Sequence, residues 1–221
     1  MKSMFDTLLR LPLFQGLTHD ELTDILFKVQ LHFAKHAAGS VVVEAGEVCD
    51  RLLFVLRGTV AIVTKSTTVP CRLTEYFDGP YVVEPVALFG RDTHYRSTCR
   101  AETEVHTVAI DKAQVLGELL KREICMLGFT NIACHRAQVL GEKLWSPPSG
   151  DAGARIRGFM LHAVDRPVGH KVFKVKMEDL ASIVGESRIS VSQALNAMQG
   201  QGLVRLRRGE VDVPDMAKMR P

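Results

Sequence analysis

The octapeptide SPPSGDAG at residues 146–153 most constrains how this chain can fold. Its two prolines fix φ and remove two backbone donors, and its two glycines add freedom where regular structure needs order. Such a stretch ends the element before it and predicts a hinge between two separately cored parts. At 221 residues the chain is long enough for both.

Upstream of the hinge the hydrophobic period changes twice. Residues 1–31 read as short helices, with Leu8, Leu9, Leu13 and Phe14 in the first. The second, LTHDELTDILFKVQ, has Thr18 or His19 before Asp20 and Glu21, and acids favour a first helical turn. From Phe33 to about Ala109, short β-rich runs (SVVVEAG, RLLFVLRGTVAIVTK, CRLTEYF, EVHTVAID) alternate with Gly, Pro and Asp turn signals. Close-spaced strands of this kind predict an antiparallel roll, with Gly46 and Gly58 at turns and LLFVLRGTVAIV as strand, turn, strand.

From Lys112 to Trp145 the helical period returns, carrying two apolar stripes. Leu116, Leu120, Ile124, Leu127 and Cys134 form one; Leu119, Met126, Ala133, Ala137, Leu140 and Leu144 form the other. A continuous helix here would run about 50 Å at 1.5 Å per residue, too long to lie inside a small domain. One stripe is expected to cover the roll, and the first is expected to meet a second copy of the chain.

Composition narrows the partners. From Asp151 onward there are 12 Lys/Arg against 8 Asp/Glu, whereas the preceding part has 16 against 17. The basic excess therefore lies after the hinge and suits a polyanion. Cysteines at 49, 71, 99, 125 and 134 are odd in number and form no CxxC pair, which predicts reduced thiols in a cytoplasm. MKSMFDTLLRLPLF lacks a signal-peptide pattern, and no run is apolar enough to cross a bilayer, so no membrane partner is expected.

After the hinge, ARIRGFMLHAVDR reads as a helix through Ile156, Phe159, Met160 and Val164, and HKVFKVKM as a strand. MEDLASIVG is then a helix ending at Gly185, and ESRISVSQALNAMQGQGL a second one with Ser187 as N-cap. Small Ala181, a turn at Gly185 and Val191 between the helices have the spacing of a helix-turn-helix. LVRLRRGEVDV closes the chain as a hairpin around Arg207–Gly209, a basic wing. Ser187, Arg188, Ser190, Ser192, Gln193 and Asn196 occupy the second helix. Arg188, Ser192, Gln193 and Asn196 share a face, and their chemistry suits base edges: Arg with guanine, Gln or Asn with adenine. Arg205, Arg207 and Arg208 are expected to meet phosphates, which give affinity without sequence preference.

LPLFQGLTHDEL, GSVVVEAGEVCDRLLFVLRGTVAIV, RSTCRAETEVHTVAID and LASIVGESRISVSQALNAM together resemble the Crp/Fnr family of bacterial transcription regulators over nearly the whole chain. The resemblance implies an α+β fold: a sensing β-roll with N-terminal helices over 1–111 and a dimerisation helix over 112–146. A hinge at 147–153 and a winged helix-turn-helix over 154–221 follow. It also implies a homodimer that binds a two-fold symmetric operator in double-stranded DNA, with RNA polymerase as a further partner. An effector held between roll and long helix would shift the population between two arrangements.

The effector residues implied are Glu84, Arg96 and Ser97, with Phe89, Met126, Leu127 and Leu140 as apolar lining. Glu84 resembles the family's ribose-binding Glu, and Arg96 with Ser97 its phosphate-binding pair. Val83 stands where the cyclic-nucleotide readers have Gly, and Pro85 follows. Leu140 and Gly141 replace the hydroxyl pair that contacts adenine. Cyclic AMP is therefore disfavoured. The first cysteine is Cys49, which disfavours the iron–sulfur members. Haem is a candidate, with His32, His36, His94, His106, His135, Cys99 and Cys134 as possible ligands. Ile189 and Gln193 replace the Glu and Arg of many family recognition helices, so a changed base preference is expected.

No GxSxG, HExxH or phosphate-loop pattern supports an enzyme. Two alternatives stand beside an effector-controlled regulator. One is a cyclic-nucleotide-binding module with no DNA role. The other is a regulator held permanently in its active arrangement. The residues do not specify the effector, the operator and its genes, or activation against repression.

Overall fold

The computed structural model describes residues 4–145 and 149–220. Ser146, Pro147 and Pro148 of the expected hinge, and the side chain of Leu144 from the second stripe, lie outside the described residues. The chain forms two compact units, Met1–Ala61 with Phe77–Leu140, and Ile62–Tyr76 with Gly141–Pro221.

The first unit begins with α1 (Met4–Leu8) and α2 (His19–Leu26). Thr18 caps α2 by accepting the Glu21 N–H, while the Glu21 carboxylate accepts the Thr18 N–H in return. This reciprocal box satisfies two donors that a helix start leaves open. Strands β1 (Leu31–His36), β2 (Val41–Val43), β3 (Arg51–Arg57), β4 (Thr59–Lys65), β5 (Cys71–Asp78), β6 (Tyr81–Val83), β7 (Thr98–Ala101) and β8 (Val105–Asp111) follow. The order β1-β8-β3-β6 makes an antiparallel sheet, with Phe54 opposite both Val108 and Val82, and β2 pairs with β7. The buried Leu52, Phe54, Val108 and Ile110 give this unit its core, where Phe14 packs 5.6 Å from Phe54.

LLFVLRGTVAIV does give two strands, but they belong to different sheets. Gly58 forms the corner at φ 94°. A Cβ there would collide with the Glu104 carbonyl oxygen and lie 3.0 Å from the Val105 Cα. Only glycine fits this close approach.

The continuous helix expected from Lys112 is broken. A short α3 (Lys112–Gln114) runs into a π turn at Val115–Leu119, and α4 begins only at Glu123 and ends at Trp145. The Leu120 N–H reaches back to the Val115 carbonyl at 2.9 Å, one residue further than in an α-helix. Val115 and Leu119, at the two ends of this wider turn, are both fully buried. With 23 residues, α4 is about 35 Å long.

The second unit takes in the end of β4 and most of β5, Ile62–Tyr76. Asp151 caps α5 (Ala152–Ala163), accepting the Ala154 N–H at 2.7 Å, so the expected hinge gives up its last two residues to a helix. Then come β9 (Lys171–Val175), α6 (Met177–Val184), α7 (Arg188–Gly200), β10 (Arg205–Arg207) and β11 (Glu210–Val213). Their strand order is β10-β11-β9-β5, with Leu73 opposite Phe173 and Phe173 opposite Val211. Ile156, Met160, Phe173, Leu180, Val191, Leu195, Met198, Val211 and Leu73 share one core. Among the described residues, no helix is long and apolar enough to cross a membrane.

Candidate nucleic-acid interface and sensory site

The turn between α6 and α7 is built from backbone requirements. Gly185 takes φ 68°, and the Glu186 N–H bonds the Ala181 carbonyl at 3.0 Å, which satisfies carbonyls left open at the end of α6. Ala181 is 6% exposed, as close approach at a helix crossing requires. Arg155 of α5 holds Glu186 at 3.3 Å, fixing the turn to the rest of the unit.

Ser187 then caps α7, its hydroxyl accepting the Ser190 N–H at 3.0 Å. The two serine hydroxyls lie 2.8 Å apart. Ser187 and Ser190, both placed among the candidate DNA contacts, are thus first of all what shapes the start of this helix. Val191, Leu195 and Met198 face the core. Arg188, Gln193 and Asn196 are exposed and Ser192 is half-buried, so the four side chains able to read base edges share an outward face. The first turn carries no acid that would repel a phosphate.

The wing is tied to α7 where Gln199 accepts the Leu206 N–H at 2.9 Å. Arg205, Arg207 and Arg208 are all exposed. Arg207 lies 3.5 Å from Glu210, which also faces Lys174 at 3.7 Å. Among the described residues no carboxylate pairs with Arg188, Arg205 or Arg208. The result is a face of donors and cations with one carboxylate, already engaged. Such a face attracts a polyanion and offers it directional hydrogen bonds.

In the first unit, Glu84 sits in a left-handed conformation (φ 37°, ψ 54°), and its carboxylate accepts the Arg96 N–H at 2.7 Å. The side chain of Arg96 is exposed, whereas Ser97 is 5% exposed. Pro85 opens the short 3-10 helix Pro85–Leu88 and supplies no N–H there, removing a donor an anion would use. Arg96 thus presents an exposed guanidinium, and Pro85 presents no backbone donor. Phe89 packs edge-on to Phe129 of α4, 5.3 Å between ring centres, with the Lys112 ammonium 5.4 Å from its ring.

Phe129 was not among the expected lining residues, and it takes the place beside Phe89. Met126, Leu127 and Leu140 are instead about half exposed, on the outward arc of α4 with Cys134. A pattern of apolar spacing alone could not separate these two faces, because both are apolar. The residues expected in the seam are likewise divided by exposure. Leu127 and Cys134 are exposed, Leu120 and Ile124 are half-buried, and Leu116 is exposed within the π turn.

Most of the candidate haem ligands already have partners. His32 bonds Asp111 at 2.9 Å, His36 bonds Thr107 at 3.1 Å, His94 bonds Asp92 at 2.7 Å and His106 bonds Glu104 at 3.2 Å. Burial pushes the Cys99 thiol up to about 12, far from a ready thiolate. Cys134 and His135 are exposed on α4. Among the described residues, no three His, Cys, Asp or Glu side chains are grouped to hold a metal ion.

Residues 154–221 match the family model of the Crp-like helix-turn-helix domain, and residues 34–122 match that of the cyclic nucleotide-binding domain. The cAMP-activated global transcriptional regulator CRP of Escherichia coli is 25% identical over 186 residues, covering 80% of this chain and 87% of that protein. The cAMP-activated regulator Vfr of Pseudomonas aeruginosa is 24% identical over 187 residues, covering 80% and 86%. The fold is similar to that of the catabolite activator protein of Thermus thermophilus, with a TM-score of 0.53, 21% identity, and 94% and 96% of the two chains covered. Two domain models that account for most of the chain, in the order and with the architecture of these regulators, place it in the family: the chain is a DNA-binding transcription regulator and belongs to the Crp/Fnr family.

Proposed function

We propose that the protein is a homodimeric, sequence-specific regulator whose affinity for a two-fold symmetric operator is set by a small-molecule or haem effector bound in the first unit. The observation that carries this reading is the outward face of α7 and its arginine wing: Arg188, Ser192, Gln193 and Asn196 with Arg205 and Arg208. Those residues have no packing task in their own unit, and their donors match the major-groove edges and the phosphates. The dimer reading is supported by the exposed arc of α4. Met126, Leu127, Cys134 and Leu140 are too apolar for a solvent-facing stripe. Contact with RNA polymerase and a cytoplasmic location belong to the same reading.

The named relatives are cAMP-activated, yet the loss of the backbone donor at Pro85 argues for a different ligand here. The Arg96 guanidinium suits an anionic group, and the Phe89–Phe129 pair suits a flat apolar one. Selection of bound duplexes from a random DNA library, using the full chain, tests the central claim. The expected result is an inverted repeat with half-site centres about one helical turn apart. A bound sequence without two-fold symmetry would overturn the dimer, and binding to no duplex would overturn the whole reading.

A further inference from the structure

Ile189 is unlike every other side chain on the outward face of α7. It is 71% exposed, against 51% for Val168, the other exposed large hydrophobic described in its unit. Its place in the sequence is three residues before Ser192, four before Gln193 and seven before Asn196, so it stands among the base-reading candidates on the same surface. It is not among the buried or partly buried residues of the core that Val191 and Leu195 enter, and a branched side chain is a weaker choice for an exposed helix position than Ala, Lys or Glu. Arg188 and Gln193 stand beside it on the helix, and the wing of the same unit carries the exposed Arg205 and Arg208.

An apolar side chain in a basic, donor-rich face requires a partner that is anionic overall and apolar at one spot. A hydrophobic protein surface fails on the first count. Duplex DNA satisfies both: its major groove is flanked by phosphates, and the thymine 5-methyl is the apolar group on its base edges. We propose that Ile189 reads thymine, packing its branched side chain on the 5-methyl group at one position of each half-site. This rests on the DNA-binding reading above and adds to it a specificity element that forms no hydrogen bond.

The test uses the full-length protein and its selected operator. Each thymine of one half-site is replaced in turn by deoxyuridine, which keeps base pairing and removes only the methyl. At one position the wild-type protein should lose about fourfold in affinity, the worth of one buried methyl group. Ile189→Ala should bind thymine and deoxyuridine there equally. Ile189→Val, which keeps the branched methyls, should retain the discrimination. A wild-type protein that binds its operator but ignores every methyl loss would overturn this inference and leave the DNA-binding reading standing. Undiminished discrimination in Ile189→Ala would assign the methyl to another side chain and overturn it too. Failure to bind any duplex would overturn both.

Discussion

Lys171 is fully enclosed, its ammonium 3.4 Å from the carboxylate of Glu75, which is itself 3% exposed. Burial pushes the Glu75 carboxyl above its ordinary range and the Lys171 ammonium below its own, while each charge opposes the other's shift. Glu75 also accepts the Asp165 N–H on both oxygens, at 3.1 and 3.2 Å. Replacing Glu75 by Gln removes the carboxylate facing a buried cation and should cost about 3–5 kcal/mol. Glu75→Gln with Lys171→Met should restore most of it. Chemical denaturation measures both, and a single variant as stable as wild type would show that the pair is not dry. This pair was not legible in the sequence. Alternation in HKVFKVKM puts Lys171 on the same side as Phe173 and Val175, where a lysine is not expected, and its partner lies far upstream on β5. Ser187 and Gly185 were legible because a cap and a left-handed turn are satisfied within a few residues, by chemistry that the local sequence carries.

At the scale of elements, the roll and the paired helices could be anticipated from changes of hydrophobic period, and the interruption before α4 could not. Val115 and Leu119, at the ends of the π turn, are both fully buried, and residues four apart share a face in a regular helix as well, so their spacing carries no sign of the wider turn. Exposure along α4 separates residues that the two apolar stripes did not. Of the residues expected in the seam, Leu120 and Ile124 are half-buried and Leu127 is 50% exposed, as is its neighbour Met126 of the other stripe at 48%. Met126→Asp with Leu127→Asp should therefore leave the monomer folded and shift the proposed dimer to monomer by sedimentation, with operator binding lost in parallel. A dimer unchanged by both charges would move the seam off this helix. Phe129 escaped notice for a related reason: one aromatic in an apolar helix gives no sign of which unit of the fold it faces, and only the ring of Phe89 against it reveals that.

For the whole molecule, the regulator class was readable because two motifs with independent physics, a roll and a winged helix-turn-helix, occur in one chain. The ligand was not, because its identity turns on single residues such as Pro85, which supplies no backbone donor at the start of its 3-10 helix. A haem effector predicts a Soret band in the purified protein that diminishes in Cys134→Ser or His135→Ala, since these are the candidates exposed on α4. A flat visible spectrum after haem reconstitution would exclude that group and leave an anionic organic ligand at Arg96.

The second unit has a further property that follows from β5 lying beside β9. Its sequence is discontinuous, so a cut within the linker would not release a whole DNA reader. A fragment starting at residue 154 would present the Lys171–Val175 strand with one bare edge, open to aberrant self-pairing, and without the Leu73 side chain that helps seal its interior. Chimaeras that graft this reader onto another sensor must carry two stretches of polypeptide across the junction.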